Sequence, residues 1–551
     1  MFERNLYVAS VLEELAFLLE ITGANVFKIQ AYKRAARTLR TLESPLEDVS
    51  QLDDIKGIGS GIKGIVSTVL DGSLPQELVD LREDIPSGIF EIARLPGLGP
   101  KSLKTLLEND IIDTKTLEEK ARSQTLREIP GFGEKTESRI LEDLQRLKHQ
   151  RNLYLGKDAW SFAKRLIERI YQYKKEDILT IEVTGELRRF EPQVSVVELI
   201  VKTSFDFEKK RLLDFLKLSK EETKDGFLYK SPEGYLIKIH FAKENDFGSV
   251  YLRTTGTKEF VDSFGNTESF AEESEVFKEN GFNFVPPELR HTPEAVRFLH
   301  EPLPELVMLK DIKGDLHMHS NYSDGVTSIL EMAKKAKSVG YVYIAISDHS
   351  KSLTVANGLD DKRLLEQGQE IDDLNQEREI GIWIFKAIEV DILKDGSLDL
   401  SNQTLERLDF VTASVHSAFR MSKTEMTDRI IKAMENPYVH SIGHITGRLL
   451  GRRPGYELDW ERIIKAAKKT HTALELNASP ERLDIAEEFL GAVIENNIKI
   501  VINTDAHSPE GFLDMNFGVM TARRGLVETR HVLNTLSLAD FSSWLKEPRK
   551  S

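Results

Sequence analysis

Residues 314–325 read GDLHMHSNYSDG, a stretch that places two histidines two positions apart, directly after a short apolar segment. In a β-strand, residues i and i+2 project to the same side. The pattern therefore predicts that His317 and His319 point together at one site, and that Asp324 folds back to it from the following loop. A pair of unrelated loop histidines is the alternative, so the rest of the chain has to decide.

The half of the chain around this stretch alternates between strand-like and helix-like segments. Seven apolar runs are typical of strands, and they read KGDLHMH, VYIAISDH, WIFKAIEV, DFVTASVH, VHSIGHI, TALELNA and KIVINTDAH. Nearly every run ends near a His, Asp or Glu, and β/α barrels build their active sites at the carboxyl ends of their strands. The pattern predicts a β/α barrel over residues 311–551 with a metal site at that end.

Nine side chains of this half are candidate metal ligands, namely His317, His319, Asp324, His349, Glu389, His416, His444, Asp505 and His507. Since zinc usually takes about four ligands, nine predict two or three divalent ions sharing a bridging carboxylate, for which Glu389 is the candidate. Nitrogen and oxygen donors without sulfur suit Mn²⁺ or Zn²⁺, and also iron. Such clusters activate water and stabilise attacking and leaving oxygens, which is phosphoester hydrolysis chemistry. His440 and His471 lie outside these motifs and are predicted to be structural.

A basic loop, TGRLLGRR, follows His444 at residues 446–453. Its Arg448 and Arg453 are candidates for a clamp on a substrate phosphate, because the planar guanidinium group matches the geometry of phosphate oxygens. An exposed, solvated loop is the alternative interpretation.

Residues 1–150 read as short helices joined by glycine-rich turns. Three similar sequences, IKGIGSGI at 55–62, LPGLGPKS at 95–102 and IPGFGEKT at 129–136, each place Gly-apolar-Gly before a new helix. Paired glycines allow a tight turn, and the free amides at the start of the next helix suit a phosphate. One such turn is usually only a connection, but three predict helix-hairpin-helix binding to the DNA backbone, which holds DNA without reading its sequence.

The candidate DNA-binding residues are Gly57, Gly59, Gly97, Gly99, Gly131 and Gly133 of these turns, with Lys28, Lys33 and Arg34 of the basic segment FKIQAYKRAAR. For the basic residues, a solvated helix face is the alternative.

Residues 151–290 combine the helical segment WSFAKRLIERIYQY with the strand-like runs ILTIEVTG, SVVELIVKT and YLIKIHFA. This mixture predicts an α+β domain. The Pro- and Glu-rich stretch that follows predicts a linker, which we assign to residues 291–310.

Composition limits the class of protein. A chain of 551 residues is expected to hold several domains, and its lack of cysteine leaves His, Asp and Glu to hold any metal. The formal charge of −15 argues against a nonspecific polycation but is compatible with local basic surface. No run approaches the ~18 apolar residues of a membrane span, and the start lacks the features of a signal peptide. A cytoplasmic monomer is expected, associated with the nucleoid while on DNA.

The motifs HMHS, SDH, EV, SVH, GHITGR and TDAH together resemble those of the PHP (polymerase and histidinol phosphatase) domain. With helix-hairpin-helix repeats first and this domain last, nearly the whole chain resembles bacterial family X DNA polymerases. The resemblance implies a distorted seven-stranded barrel with a trinuclear metal centre, and every ligand position is filled; Ile445 stands where the family usually has proline. It also implies a helical DNA-binding domain at 1–85, a fingers-like region at 86–150 and a nucleotidyltransferase palm at 151–290.

The palm departs from the family where the polymerase would bind its metals. Matched position by position, the family's catalytic carboxylates are Val196, Glu198 and Lys238 here. Valine cannot bind a metal, and lysine brings a cation to a place where a cation should bind. The turn serine is Glu186, and an aromatic pair is replaced by Arg253 and Thr254. With a shortened thumb between residues 260 and 275, the polymerase centre is predicted to be inactive and the palm to be a scaffold.

These expectations favour a metal-dependent DNA phosphodiesterase that acts as a 3′→5′ exonuclease, with cleavage at abasic sites as a further activity. Gapped, nicked or 3′-ended DNA is the expected partner, and repair is what the resemblance implies. Three alternatives stay open: a phosphatase for small phosphomonoesters, a residual polymerase that uses Glu198, and a DNA-end-binding scaffold without catalysis.

Overall fold

The computed structural model describes residues 3–40, 46, 48–52, 58–71, 74–86, 88–93, 95, 98–150, 153–173, 178–204, 209–223, 226–231, 233–377 and 380–547. The chain divides into two compact units, Met1–Arg151 and Asn152–Ser551. The second unit contains both the expected palm region and the expected barrel. Among the described helices, none is long and apolar enough to cross a membrane.

The first unit is helical throughout its described residues. Its α-helices are α1 (Glu3–Thr22), α2 (Val26–Arg40), α3 (Ser60–Leu70), α4 (Gln76–Asp84), α5 (Gly88–Ile92), α6 (Pro100–Leu107), α7 (Thr114–Arg122) and α8 (Glu134–Gln150). Helix α1 has buried apolar residues from Val8 to Ile21 and contributes much of this core. Helix α2 is amphipathic, because Ile29, Tyr32 and Ala36 recur at helical spacing and are buried, while Lys28 and Arg34 are exposed.

The palm region of the second unit is a mixed sheet with helices. Its strands are β1 (Tyr154–Leu155), β2 (Ile178–Thr184), β3 (Gln193–Val194), β4 (Val197–Thr203), β5 (Ser219–Thr223), β6 (Gly226–Lys230) and β7 (Leu236–Ala242). Five of them form a sheet in the order β2-β4-β7-β6-β5, in which β4 and β7 run parallel. Its helices are α9 (Gly156–Tyr173), α10 (Gly185–Arg188), α11 (Lys209–Phe215), α12 (Phe247–Thr255), α13 (Lys258–Val261) and α14 (Glu273–Glu279). The predicted α+β arrangement is confirmed.

The segment expected to be a linker is folded. It forms a 3-10 helix at Pro293–Leu299, and further 3-10 helices lie directly before it at Pro287–Leu289 and at its end at Leu309–Asp311. Phe298 and Leu299 are buried in a cluster with Phe260 and Phe277 of the palm region. Leu306 and Val307 pair with the barrel's chain near Val527, whose carbonyl accepts from the Val307 amide at 3.0 Å. The Pro- and Glu-rich composition therefore did not indicate an extended linker. Its prolines stand at the start of 3-10 helices, and these helices bury apolar side chains.

The C-terminal part is a parallel seven-stranded barrel, as predicted. Its strands are β8 (Gly314–Asp315), β9 (Tyr343–Ile346), β10 (Trp383–Asp391), β11 (Phe410–Ser414), β12 (Ser441–Ile442), β13 (Ala473–Asn477) and β14 (Ile500–Asn503). They pair in chain order, and a bridge between Met318 and Ala506 brings the first and last strands together, so that the barrel is nearly closed. These strands are buried on both faces, as expected for a parallel sheet covered by helices.

Helices surround the barrel. They are α15 (Ile329–Ser338), α16 (Asp361–Glu377), α17 (Asn402–Leu405), α18 (Lys423–Met434), α19 (Trp460–Thr470), α20 (Glu487–Glu495), α21 (Met515–Arg524) and α22 (Leu538–Leu545). Helix α22 packs Phe541 against Tyr343 with the rings 5.2 Å apart, next to Phe385 and Phe410. Tyr343 and Phe410 begin their strands, so α22 covers the amino-terminal end of the barrel and leaves the carboxyl end for the site.

Candidate metal centre

The predicted ligands converge at the carboxyl ends of the barrel strands. His317 and His319 follow β8, His349 follows β9 and Glu389 lies near the end of β10. The ligands His416, His444, Asp505 and His507 follow β11, β12 and β14. Because parallel strands direct these ends to one face of the barrel, residues as distant in sequence as His319 and Asp505, which are 186 positions apart, meet there.

Glu389 lies at the centre of this cluster. Its Oε1 atom is 2.9 Å from Nε2 of His444, 3.2 Å from Nε2 of His416 and 3.4 Å from Nε2 of His317. Its Oε2 atom is 2.7 Å from Nδ1 of His349. One buried carboxylate therefore faces histidines from four different loops, which is the position that a bridging ligand needs.

Asp324 and Asp505 face further histidines of the cluster. Oδ1 of Asp505 is 3.0 Å from Nε2 of His319. Oδ1 of Asp324 is 3.5 Å from Nε2 of His507 and 3.6 Å from Nε2 of His349. Ligand atoms within 4.8 Å of one another form three groups, which are His319–Asp324–His349–His507, His317–His319–Asp505 and His349–Glu389–His416.

The donors fit divalent metal ions. Nδ1 of His349, Nε2 of His317 and Oε2 of Glu389 are buried, and the described residues give them no hydrogen bond of good geometry. Buried polar atoms are normally hydrogen-bonded, so a group of such atoms aimed at one another calls for a cation. The nitrogen and oxygen donor set can hold divalent ions of the zinc, manganese and iron type.

Electrostatics within the cluster is strong. Burial alone would raise the pKa of Glu389, but His416, His317 and His349 hold it well below its usual range. Burial would lower the pKa of His416, but the carboxylates of Glu389 and Asp391 raise it to about 10. The lowered pKa of Glu389 keeps this carboxylate ionised near neutral pH, the form in which a carboxylate binds metal ions.

Carboxylates behind the ligands orient two of the histidines, and the sequence reasoning missed them. Oε2 of Glu475 faces Nδ1 of His317 at 2.6 Å, and Oδ1 of Asp391 is 3.3 Å from Nδ1 of His416. Such partners fix the ring orientation and tautomer of a metal-binding histidine. The signal was available, because Asp391 stands two residues after Glu389 and Glu475 lies in the only predicted strand to which no ligand was assigned.

The two arginines predicted to clamp phosphate make other contacts. Arg448 donates from Nε to the Arg482 carbonyl at 2.7 Å and from its terminal nitrogen to the Leu483 carbonyl. Arg453 donates to the Gly447 carbonyl at 3.0 Å and lies over the Phe419 ring. In the described structure neither guanidinium lies within 4.0 Å of a ligand carboxylate, whereas Nε of Arg482, which was not predicted, is 3.6 Å from Oδ2 of Asp505.

The glycine turns of the first unit are placed as expected where the structure describes them; Gly57 and Gly97 lie outside the described residues. Gly59 and Gly99 are the N-caps of α3 and α6, and having no side chain they leave the first amides of these helices without a capping acceptor. Gly131 has φ of +94°, which favours glycine, and Gly133 directly precedes α8.

The basic residues of α2 fit the prediction less well. Lys28 is paired with Glu77, and Lys33 lies 2.7 Å from Glu20, so both charges are partly neutralised within the protein. Arg34 is exposed. Only part of the predicted basic face therefore offers positive charge to a phosphate.

Comparisons with known proteins agree with this architecture. Residues 3–72 match the helix-hairpin-helix domain, residues 90–146 match the SAM-like helix-hairpin-helix tandem, and residues 315–479 match the PHP domain. The fold and the site thus define a helix-hairpin-helix protein with a metal-binding PHP barrel.

Relatives define the family more narrowly. The chain is 35% identical to "DNA polymerase/3′-5′ exonuclease PolX" of Bacillus subtilis over 98% of this chain and 99% of that protein. It therefore belongs to the bacterial PolX family. The chain is also similar to a "Probable phosphatase" of Acetivibrio thermocellus, with 31% identity over 35% of this chain and 78% of the relative. A "Probable phosphatase" of Thermoanaerobacter sp. is 29% identical over 43% of this chain and 95% of its own length.

Proposed function

We propose that this protein is a metal-dependent DNA phosphodiesterase that removes nucleotides from 3′ ends, with its PHP barrel as the catalytic domain. The observation that carries the proposal is the convergence of nine donor side chains, Glu389 and eight others, in a chain that also contains helix-hairpin-helix elements. The name of the Bacillus subtilis relative, which includes a 3′-5′ exonuclease, supports the same reaction.

The chain's own residues divide the chemistry between them. Bound divalent ions, most simply manganese or zinc, would supply an activated water and neutralise charge on the phosphate. His317, His319 and Asp505 would hold one ion, Asp324, His349 and His507 a second, and Glu389 with His416 and His444 a third. Glu475 and Asp391 hold the rings of His317 and His416 in place. The burial of the cluster limits bulk water around the phosphate, which strengthens its electrostatic interactions.

We further propose that the palm region has no polymerase activity. Glu198 stands opposite Lys238 in the sheet, and its Oε2 atom lies 2.7 Å from Nε2 of His240. Glu186 accepts hydrogen bonds from the amide and hydroxyl of Ser195, so its carboxylate is bound to the segment between β3 and β4. Val196 adds no donor. The three matched positions therefore offer one carboxylate, Glu198, which is already paired, where two ions and a triphosphate would need several.

Two arginines of the palm region are also engaged by a carboxylate. Both terminal nitrogens of Arg188 donate to Glu273 at 2.8 Å, and the guanidinium lies 3.4 Å from the centre of the Tyr251 ring. Arg290 is fully buried and donates to the same Glu273 at 2.6 Å. These contacts support a palm region that persists as a packed scaffold.

The rest of the assignment follows the family. We propose that the substrates are gapped, nicked or 3′-ended DNA in repair, that abasic-site cleavage is a further activity, and that the protein acts as a cytoplasmic, nucleoid-associated monomer. For the boundaries we propose helical DNA-binding and fingers-like regions at 1–85 and 86–150, a palm region at 151–290, and a PHP barrel from 311, with the ordered segment 291–310 between them.

A second function also has support. The relatives named as probable phosphatases match 35–43% of this chain, and their names suit a phosphatase acting on a small phosphomonoester. The helix-hairpin-helix units favour DNA instead, because a small substrate does not require DNA-binding elements.

A 5′-labelled primer in a gapped duplex, incubated with Mn²⁺ and with or without deoxynucleotides, distinguishes these functions. Shortening supports the exonuclease, lengthening the polymerase, and an unchanged primer the phosphatase or a scaffold.

A further inference from the structure

We infer that Arg482 is the phosphate-binding arginine of the metal centre, in place of the arginines that follow His444. This inference rests on the proposed function of the site. Arg482 lies in the loop after β13, and its Nε atom is 3.6 Å from Oδ2 of Asp505, a predicted metal ligand. Its side chain is 20% exposed, so it is partly desolvated and still open to a substrate.

Hydrogen bonds hold the loop that carries Arg482 in place. The carbonyls of Arg482 and Leu483 accept hydrogen bonds from Arg448, and the Arg482 amide donates to the Ser479 carbonyl at 2.7 Å. The Glu481 carbonyl accepts from the amide of Leu450 at 2.7 Å. The basic loop after His444 therefore contributes indirectly, because its hydrogen bonds fix the backbone from which Arg482 reaches the candidate ligands.

The charge of Arg482 is only weakly compensated. An arginine is permanently protonated, and Asp505, its carboxylate partner among the described residues, is also shared with His319 at 3.0 Å. A partly exposed guanidinium beside a cluster of candidate metal ligands suits an anion, because a phosphate accepts several charge-assisted hydrogen bonds.

The geometry suits the proposed reaction. A phosphodiester bound at the ligand cluster would present a non-bridging oxygen to Arg482, whose planar fork matches phosphate oxygens. The negative charge on these oxygens increases as the attacking oxygen approaches, so a fixed cation stabilises this state more than the substrate.

The test compares Arg482→Ala, Arg482→Lys and the matched control Arg462→Ala in the full-length, Mn²⁺-loaded protein. Arg462 is exposed on α19 and paired with Asp428 at 2.6 Å, away from the ligands. Three quantities are measured: bound metal per chain by mass spectrometry, the Kd for inorganic phosphate by calorimetry, and kcat and KM for primer shortening and for a small aryl phosphodiester.

We expect Arg482→Ala to bind a full complement of metal, to weaken phosphate binding at least about 10-fold and to lower kcat/KM by about 100-fold, mainly through kcat. Arg482→Lys should keep part of the phosphate affinity and part of kcat/KM, since lysine retains the positive charge but lacks the planar guanidinium group. Arg462→Ala should behave as the unchanged protein. Phosphate affinity within about twofold of the unchanged protein for Arg482→Ala, or loss of metal in proportion to activity, would overturn the inference. If the unchanged protein binds phosphate but does not shorten the primer, the exonuclease proposal fails separately from the role of Arg482.

Discussion

The Oε1 atom of Glu389 lies 2.9 Å from the Nε2 atom of His444, although the two residues are 55 positions apart in the chain. They stand on β10 and just after β12, two strands that are separated in the sheet by β11. They meet because the curvature of the barrel turns the strand ends toward its axis. Since the other oxygen of Glu389 faces His349, this carboxylate connects opposite sides of the site.

The first prediction concerns the ligands themselves. Glu389→Gln and His319→Ala should each lower the rate of primer shortening at least about 100-fold, because each removes a donor or charge shared between metal positions. Bound metal should fall in the same variants, measured by mass spectrometry. The control is His471→Asn, because His471 is the exposed C-cap of α19 at φ of +57°, a conformation that asparagine tolerates. A Glu389→Gln protein with full metal and full activity would disprove the assignment.

Removal of metal should affect stability as well as activity. Chelation should abolish primer shortening, and Mn²⁺ should restore it. The apo protein should also melt at a lower temperature, because ions that bind only the folded cluster stabilise it by about 2.7 kcal/mol at 100 times their Kd. Differential scanning calorimetry with and without Mn²⁺ measures this shift. An identical melting temperature in both states would contradict a cluster of the proposed kind.

Templated extension should be absent with Mg²⁺ or Mn²⁺. The paired Glu198 and the exposed Lys238 leave no pocket for two ions. Combining Val196→Asp, Glu198→Asp and Lys238→Asp should not restore extension, because Arg188 remains bound to Glu273. Primer extension with all four deoxynucleotides, followed on a denaturing gel, is the measurement. Lengthening by the unchanged protein would show that the palm region is active.

The buried charge network of the palm region should be important for stability. Glu273→Ala leaves Arg290 buried without its carboxylate, which should lower the free energy of unfolding of this part by about 3–5 kcal/mol. Urea unfolding followed by the fluorescence of Trp160, with Trp383, Trp460 and Trp544 replaced by phenylalanine in every protein compared, is a suitable measurement. Asp262→Ala, which removes an exposed partner of Lys258, should cause no measurable change. Equal effects of the two substitutions would mean that Glu273 does not hold the network together.

The two units should separate DNA binding from chemistry. A fragment of residues 152–551 should hydrolyse a small aryl phosphodiester as the full chain does, while its affinity for duplex DNA falls. For every DNA phosphate that the fragment no longer neutralises, the slope of log affinity against log salt should become shallower by roughly 0.9. Fluorescence anisotropy at several salt concentrations measures both effects. Equal affinity and equal slopes for fragment and full chain would show that the first unit does not hold DNA.

A point substitution gives the matched test in the full chain. Gly131→Val should imitate the fragment's loss of affinity, because Gly131 has φ of +94°, a conformation that valine avoids. Gly491→Ala, on the barrel helix α20 with open space around it, is the control. A fragment starting at residue 311 is a poorer choice, because it removes Glu288 and Val307, which contact Arg523 and Val527 of the barrel.

Local patterns determined a large part of this molecule. The two-residue spacing of His317 and His319, and the acidic or histidine residue at the end of most apolar runs, were enough to predict a seven-stranded barrel with a metal centre. The repeated Gly-apolar-Gly turns predicted the helix-hairpin-helix unit. These features are local, because strand direction and turn conformation depend on a few neighbouring residues.

Other features depended on contacts between distant segments. The positions of Glu475 behind His317, of Arg482 beside Asp505 and of Glu273 beneath Arg290 could not be predicted, and the expected linker proved to be folded. A charged side chain on a loop has the same local sequence whether it faces solvent, a carbonyl or a ligand. Which of these partners it contacts is determined by the tertiary packing. Burying a charge is unfavourable unless an opposite charge lies close by, and only the fold brings such a charge from a distant segment.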